Sequence, residues 1–461
     1  FFGIGIMKIV IGGASGVGKS LVGYLTLGNN DIVVVDEDAS KLEDIAKEYD
    51  IQPVVGSISN PDIQEAVGMK KADMLISVTE NDEVNLVACQ VAYTLFGVPR
   101  KIARVDSQYY LNPLWNKLYN EKSLPVDLVI TPDVEIAKFL LGMFKLPGSM
   151  AVYPFLNNEL NIFNFRQKDT DIPFMKFSVS HINSKLSELS ASVVLILRGN
   201  HRILIGEEDV YLQRNDIIYI ACPPERNIDV MRLFGVDHNP YEKAVIFGAN
   251  AISYYLSAKL EEDDNVISNY VVESDLAKAH RLAEKLNKTS VIAGEIMSDR
   301  ILEDVGFSTT DISIAVTEKD KDNLLISLLA SKNKDTQAVS LINSREYNLL
   351  ATNIRNNTII DRSVITISGI LQYLRLARIN EAYSLGREMG EIWEIRLGED
   401  SSNEGVWVDE LKMPENSAIL VAVSENKFIY NPQNYKLKAF DKLILYVSPA
   451  DIKDIERIFY R

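Results

Sequence analysis

The residues best suited to chemistry lie near the start of the chain, in Gly13-Ala14-Ser15-Gly16-Val17-Gly18-Lys19-Ser20, with Asp36 eighteen positions beyond Gly18. This stretch fits two incompatible patterns. As G-x-x-x-x-G-K-S it is a phosphate-cradling loop, in which Lys19 would reach terminal phosphates and Ser20 would hold magnesium. As G-x-G-x-x-G, with Ser15 in place of the middle glycine, it is a dinucleotide turn. That pattern needs a strand before the turn, a helix after it, and an acid about 20 residues on to hold a ribose diol. Asp36 closes a short apolar strand, where such an acid belongs.

A duplication within the chain discriminates between the two. Asp73 to Asn85 (DMLISVTENDEVN) recurs 238 positions later as Asp311 to Asn323 (DISIAVTEKDKDN). A repeat at so long a period means that a whole folded unit has been copied. In the second copy the glycine turn reads Gly248-Ala249-Asn250-Ala251-Ile252-Ser253, with no Gly-Lys-Ser, yet the acid at the strand tip survives as Glu273. The duplication therefore favours the dinucleotide turn. Ser15 crowds the approach of a pyrophosphate, and Asn250 and Ser253 replace two of three glycines in the second turn. The second pocket is expected to bind poorly or not at all.

The elements that position these residues follow a regular rhythm. Ile9-Val10-Ile11 reads as a buried strand, followed by a glycine turn and a helix to Leu27. Further strands are expected at Ile32 to Val35, Gln52 to Val55, Asp73 to Val78, Lys101 to Val105 and Leu128 to Thr131, with helices at Lys41 to Tyr49 and Glu83 to Leu95. Alternation at this spacing means a doubly wound parallel sheet. The rhythm returns at Ala244 to Phe247, Asn265 to Val272 and Asp311 to Val316. Each sheet unit is followed by apolar hairpin-like segments (Ala191 to Leu204; Ser417 to Ile429) and a terminal amphipathic helix (Asn227 to Phe234; Asp451 to Tyr460). The fold class is thus α/β: tandem duplicated Rossmann-like sheets, each followed by a small α+β domain. Expected domains are 7–140, 145–238, 241–370 and 378–461.

Composition limits the possible functions. At 461 residues the chain exceeds one ordinary core, and 47% hydrophobic and 24% charged content are those of a soluble globular protein. No apolar run is long enough to span a bilayer. A net charge of −16 argues against nucleic acid as a partner. Two cysteines, Cys89 and Cys222, give no disulfide framework and fit a reducing cytoplasm. The four histidines are scattered, and no His/Cys cluster has metal spacing. Met7 is read as the natural start, after a short apolar leader.

Several residues also have plain structural readings. Asp73 and Asp311 serve as turn or cap residues, Asn85 and Asn323 as helix-start residues, and Cys89 as core. Thr79 can be a simple β-branched strand end, and Arg104 can pair with neighbouring acids.

Taken together, MKIVI–GA–x–VG, VVVDEDASKL, the doubled V-T-E-x-D-x-x-N element and NLVACQVAYTLFGVPRKIARV resemble the TrkA family. Its members are cytoplasmic regulatory subunits of bacterial Trk potassium-uptake systems, with two RCK (KTN) units. The resemblance covers Met7 to Arg461. It implies that Gly13, Ala14, Ser15, Gly16 and Val17 form a pyrophosphate turn, that Asp36 holds the adenosine ribose, that Thr79 and Glu80 line the nucleotide, and that Arg104 faces its phosphates. The second-half counterparts are Gly248, Ala249, Asn250, Ala251, Ile252, Glu273 and Thr317. It further implies NAD(H) as cofactor, with ATP/ADP second, no catalytic residue and no metal. The implied partner is a TrkH/TrkG-like membrane potassium-translocating subunit, bound by a homotetramer lying peripherally on the inner face of the membrane. Movement would be transmitted by helices near Ile136 to Phe144 and Ile370 to Ala377. Two rivals stay open: an NAD-dependent oxidoreductase, and a P-loop ATPase or phosphotransferase using Lys19.

Overall fold

Short apolar runs separated by glycine turns pair side by side in parallel, because each crossover helix returns the chain to the same edge of the sheet. A computed structural model describes the chain except residues 1–6, 15, 27–29, 108–109, 111–116, 121, 169–172, 200, 206–209, 237–238, 334, 345–346, 348–349, 352–353, 355, 375–378, 387–388, 400 and 460–461. The expectations for the leader, for Ser15 and for the segment reaching Ala377 therefore lie wholly or partly outside the described residues.

The first sheet contains β1 (Lys8–Gly12), β2 (Asp31–Asp36), β3 (Gln52–Val55), β4 (Met74–Ser77), β5 (Arg100–Arg104) and β6 (Leu128–Ile130). Their order is β3-β2-β1-β4-β5-β6, all parallel. Strand order reverses between β1 and β4, and the crevice beyond their carboxyl ends is where such sheets bind ligands.

Alternate residues of the buried strands serve opposite faces. Ile9, Ile11, Ile32, Val34, Met74 and Ile76 form one core with Leu21 and Val22 of the helix Val17–Leu25. Val10, Val33, Val35, Leu75 and Ala103 form the other core with Cys89 of the helix Asp82–Phe96. The first core also receives Ile367 and Ile370 from the helix Arg362–Leu374, which lies far along the sequence. Both side chains are fully buried, and burying each is worth roughly 1.5–3 kcal/mol. The first compact unit accordingly comprises the chain up to Asp133 together with Arg362–Leu374.

The second unit holds Val134–Asp361 and Arg375–Arg461. Within it β12 (Lys243–Phe247), β13 (Ser268–Glu273), β14 (Ser290–Ala293), β15 (Ile312–Ala315), β16 (Gln337–Leu341) and β17 (Asn357–Ile360) repeat the parallel order as β14-β13-β12-β15-β16-β17.

Two antiparallel sheets complete the unit. The first has β7 (Ala151–Phe155), β8 (Leu160–Arg166), β9 (Ser192–Arg198), β10 (His201–Leu204) and β11 (Ile217–Cys222), in the order β10-β9-β11-β8-β7. The second has β18 (Ile379–Gly386), β19 (Gly390–Arg396), β20 (Ala418–Ser424), β21 (Lys427–Tyr430) and β22 (Lys442–Val447), in the order β18-β19-β22-β20-β21. Read from the other edge this is the same topology, so the small domains are copies too. Strands β7, β8, β18 and β19 escaped the sequence reading, because the β8 core positions are interrupted by Asn161 and Asn164 and those of β19 by Glu391 and Glu394. Phe155, Ile162, Leu195 and Tyr219 of the first small domain share one core with Ile392, Val421, Ile444 and Tyr446 of the second.

Candidate functional site

The first glycine turn runs from the end of β1 into the helix Val17–Leu25. Gly13 donates its N–H to the carbonyl of Val35 at 2.8 Å, and Val78 donates to Gly12 at 2.7 Å, so the turn is tied to both neighbouring strands. Three glycines are needed for three different reasons. Gly13 has φ +106°, and a Cβ there would lie 2.9 Å from the Thr79 nitrogen. Gly16, at the helix start, has φ 46° and ψ −104°, a conformation open essentially to glycine alone. A Cβ on Gly18 would lie 1.9 Å from the carbonyl oxygen of Gly13. Gly16, as a glycine, makes no side-chain cap at the start of this helix.

Asp36 stands at the tip of β2. Its carboxylate accepts the N–H of Ala14 at 2.6 Å through one oxygen and that of Asp38 at 2.9 Å through the other. It therefore shapes the glycine turn, and each oxygen keeps a lone pair for a further donor. Beside it lies a crevice of about 200 Å³, lined by Val35, Asp36, Lys41, Gly56, Thr79 and Glu80 among others. A larger hollow, between Asn403 and Arg457 in the last small domain, is remote in sequence from every candidate residue. The candidate site is this crevice at the β1/β4 switch point, beside the Asp36 carboxylate that ties the glycine turn.

Thr79 borders this crevice, and its hydroxyl is engaged within the protein. The Oγ1 donates to Asn85 Oδ1 at 2.8 Å, and the same oxygen accepts the Thr79 N–H at 3.0 Å and the Ser77 hydroxyl at 2.9 Å. The Asn85 amide donates to the carbonyls of Thr79 and Arg104, each at 3.0 Å. Asn85 is thus a buried tie among three segments. The helix cap is Asn81, whose Oδ1 accepts Val84 N–H at 2.9 Å. The reading of Asn85 as a helix-start residue thus gives way to that of a tie joining β4, β5 and the intervening turn.

The same logic explains the rest of the repeated element. Asp73 accepts the N–H of Lys8 at 2.8 Å, and Asp311 that of Lys243 at 2.8 Å. Asp82 accepts the N–H groups of Asp106 and Ser107 at 3.0 and 2.8 Å, and Asp320 those of Asn343 and Ser344 at 3.0 and 2.6 Å. Asn323 repeats the tie on Thr317, with bonds of 2.8 and 2.9 Å. The doubled pattern is a set of backbone clamps.

Arg104 ends β5 with its guanidinium on Asp106, at 2.9 Å through Nε and 2.5 Å through Nη2. Next to this pair Arg362 donates to Asp133 at 2.5 Å. Burial pushes the Asp133 carboxyl above its ordinary range, against the opposing pull of Arg362. Sequence reasoning missed Asp133 and Arg362, and nothing local in the sequence pairs residues so far apart. Lys19 holds Glu48 at 2.8 Å on the surface. Among the described residues no group of His, Cys, Asp and Glu could hold a metal ion, and no helix is long and apolar enough to cross a membrane.

The second turn keeps the frame, with a helix cap of its own. Gly248 has φ +111°, and Glu273 accepts the N–H groups of Ala249 and Asp275 at 2.7 and 2.9 Å. Asn250, however, caps the helix Ala251–Leu260 in a reciprocal box with Ser253.

Comparisons with known proteins agree with this duplicated architecture. A model of the TrkA-N domain matches residues 9–132 and again 244–362, and one of the TrkA-C domain matches 392–460. The Trk system potassium uptake protein TrkA of Azorhizobium caulinodans is 31% identical over 454 residues, spanning 98% of both chains. That of Halomonas elongata is 29% identical over 457 residues, again spanning 98% of both. Among solved structures, the GsuK channel bound to NAD superposes with a TM-score of 0.62 at 15% identity, over 99% of this chain and 79% of that one. The GsuK RCK domain gives 0.62 at 16% identity, over 99% and 95%. The likeness to GsuK establishes the tandem fold, and the TrkA-N matches with the full-length relatives establish descent: the chain belongs to the TrkA family of Trk-system potassium uptake proteins.

Proposed function

We propose that this chain is a nucleotide-binding regulatory subunit of a potassium-uptake system and not an enzyme. The observation that carries this reading is the open switch-point crevice of the first lobe. A glycine turn leading into a helix, with the Asp36 carboxylate at the neighbouring strand tip bordering the crevice, suits a pyrophosphate and a ribose diol at once. NAD(H) is the first candidate, supported by the NAD-bound state of the GsuK channel with the same tandem fold. ATP or ADP is second, since Asp36 reads only a ribose. A 2′-phosphate would be repelled by that carboxylate, which disfavours NADP.

In this reading Gly13 to Val17 receive the pyrophosphate, Asp36 the ribose, and Thr79 and Glu80 the rim, with Arg104 exchanging Asp106 for phosphate. The proposed lobes are 7–140, 145–238, 241–370 and 378–461, with the helix Arg362–Leu374 lent to the first sheet. Occupied and empty first lobes favour different assemblies of a homotetramer, seated on the cytoplasmic face of a TrkH/TrkG-like membrane subunit. Ligand must prefer one assembly over the other, because equal affinity for both shifts nothing. The phosphotransferase alternative is weakened by Lys19, which is engaged with Glu48.

Calorimetric titration of the full chain with NADH, NAD, ATP, ADP and GTP, with phosphate release followed on the same samples, tests the proposal. Saturable binding of NADH or ATP without turnover is expected. Magnesium-dependent phosphate release lost on Lys19→Ala would overturn it.

A further inference from the structure

We propose that the hollow in the last small domain is a docking site for an amphipathic helix of a protein partner, anchored by an aromatic side chain. It stands apart from the nucleotide reading, since the hollow belongs to the second antiparallel domain and to neither parallel sheet. The two small domains are copies, so the first shows what fills the same place when the chain supplies it.

Backbone bonds fix the correspondence. Ser178 bridges Tyr211 as Trp407 bridges Lys436. Val179 donates its N–H to the carbonyl of Val210 at 2.7 Å, and Val408 donates to that of Tyr435 at 2.9 Å. Just before each bridge, Phe177 donates to Phe174 at 3.2 Å, and Val406 donates to Asn403 at 3.2 Å. Asn403 therefore stands where Phe174 does, and Val406 where Phe177 does.

In the first domain the place is filled. The Phe174 ring meets Phe234 edge-on, with 5.2 Å between centroids. The helix Val179–Leu186 then sets Val179, Ile182 and Leu186 into the core that holds Phe234. In the second domain asparagine and valine replace both aromatics. The helix is cut to one 3₁₀ turn, Val408–Glu410, after which Leu411 takes an extended backbone with ψ 127°. The stretch up to the next strand is three residues shorter, Trp407 to Ala418 against Ser178 to Ser192. The result is a hollow of about 620 Å³ between this shortened segment and the terminal helix Ile452–Phe459.

The lining selects the occupant. Val406, Leu411, Pro414 and Ile458 are apolar and half-buried, while Glu410, Lys412, Asp454 and Arg457 stand exposed around them. Two acids offset two bases, and Arg457 is already paired with Asp454 at 3.3 Å, so the hollow is a poor match for a phosphate or another small anion. A helix in such a groove seats apolar side chains at i, i+3 and i+7, the spacing of Val179, Ile182 and Leu186, and a large ring serves as its anchor. Trp407, next to Val406 and 43% exposed, extends the apolar surface the helix would meet.

The probe is a fluorescein-labelled peptide of this chain's own residues 174–189, which carries both aromatics and the helix. It is titrated by fluorescence anisotropy against the full-length wild type, Val406→Phe and Val406→Met, with thermal unfolding of each chain to establish folding. Saturable binding to the wild type is expected. Val406→Phe returns the first domain's ring to the hollow and should weaken binding about tenfold or more, the scale of a lost anchor, with Val406→Met weakening it less. A peptide with alanine at both phenylalanine positions should lose as much. No saturable binding to the wild type, equal affinity in the folded variants, or equal affinity of the alanine peptide overturns the inference. So does a change of assembly state in either folded variant by sedimentation velocity, which would give the hollow to a second copy of this chain.

Discussion

Asn85 accepts both the hydroxyl and the backbone N–H of Thr79, at 2.8 and 3.0 Å, through a single buried oxygen. That pairing fixes the loop at the β1/β4 switch point, beside the crevice that Thr79 lines. Asn323 and Thr317 repeat it in the second sheet unit. Recurrence of the tie in both sheet units, on the same backbone groups, assigns it to the fold.

Asn85→Ala should therefore act first on stability. It leaves the Ser77 hydroxyl, the Thr79 N–H and the Arg104 carbonyl without their present partner in a buried place. Each orphaned group costs about 1–3 kcal/mol. We expect a net loss of about 3 kcal/mol in urea unfolding of the first unit. Asn323→Ala should cost a similar amount in the second. An Asn85→Ala chain that keeps its stability and loses only nucleotide affinity would reverse the assignment.

Asp36→Ala removes the acceptor of the Ala14 N–H together with the proposed ribose ligand. Nucleotide affinity should fall by about 1–2 kcal/mol, a loss of roughly 5–30-fold. Lys19→Ala breaks an exposed ion pair with Glu48, worth about 0–1 kcal/mol, and should leave affinity unchanged. Parallel titrations of the two variants check this. Equal losses would return Lys19 to the site.

Much of this arrangement was legible before any coordinates. The parallel order of both sheets follows from the alternating rhythm of strand and helix. Asp36 stands out because an acid at the end of an apolar strand behind a glycine turn has few other uses. The function of the repeated element was not legible. Its Thr, Asp and Asn all bond to backbone, and a side chain that clamps a loop looks in sequence like one that binds a ligand. The Asp133–Arg362 pair was also hidden, because it needs a helix from the second half to pack against the first sheet. Strands β8 and β19 were missed because Asn164 and Glu394 occupy core positions. Glu394 does so by accepting the Leu156 N–H at 2.8 Å, a long-range bond that leaves no periodic trace.

Gly18→Ala tests the close packing of helix on turn. Its Cβ would sit 1.9 Å from the Gly13 carbonyl oxygen, a backbone atom that cannot rotate aside. Overpacking of this kind costs about 1–3 kcal/mol, and relief requires the helix Val17–Leu25 to move off the sheet. Nucleotide titration should show affinity reduced well beyond the Asp36→Ala loss, since the whole helix start shifts. Wild-type affinity in a folded Gly18→Ala chain would show that the helix start takes no part in binding.

The two cysteines report on the two units separately. Cys89 is fully buried in the first sheet unit, and burial pushes its thiol from the ordinary 9.0 up to about 12. Cys222 is buried in the first small domain and is also pushed up, again by burial. Only thiolate reacts with iodoacetamide, so at pH 8 the native chain should label at neither site until it opens. The same shift sets a pH dependence. An unfolded chain ionises Cys89 above pH 9 while the folded one keeps the proton, so the folded state binds more protons there. Stability is thus fully present below pH 9 and falls as pH rises toward 12. A Cys89→Ala chain should lack that part of the alkaline loss. Nucleotide in the first lobe should slow labelling of Cys89 and leave Cys222 unchanged, because a ligand suppresses only the openings that destroy its own site. Mass-spectrometric labelling with and without NADH measures both rates. Equal protection of the two would mean that the units open together, and fast native labelling of Cys89 would contradict its burial.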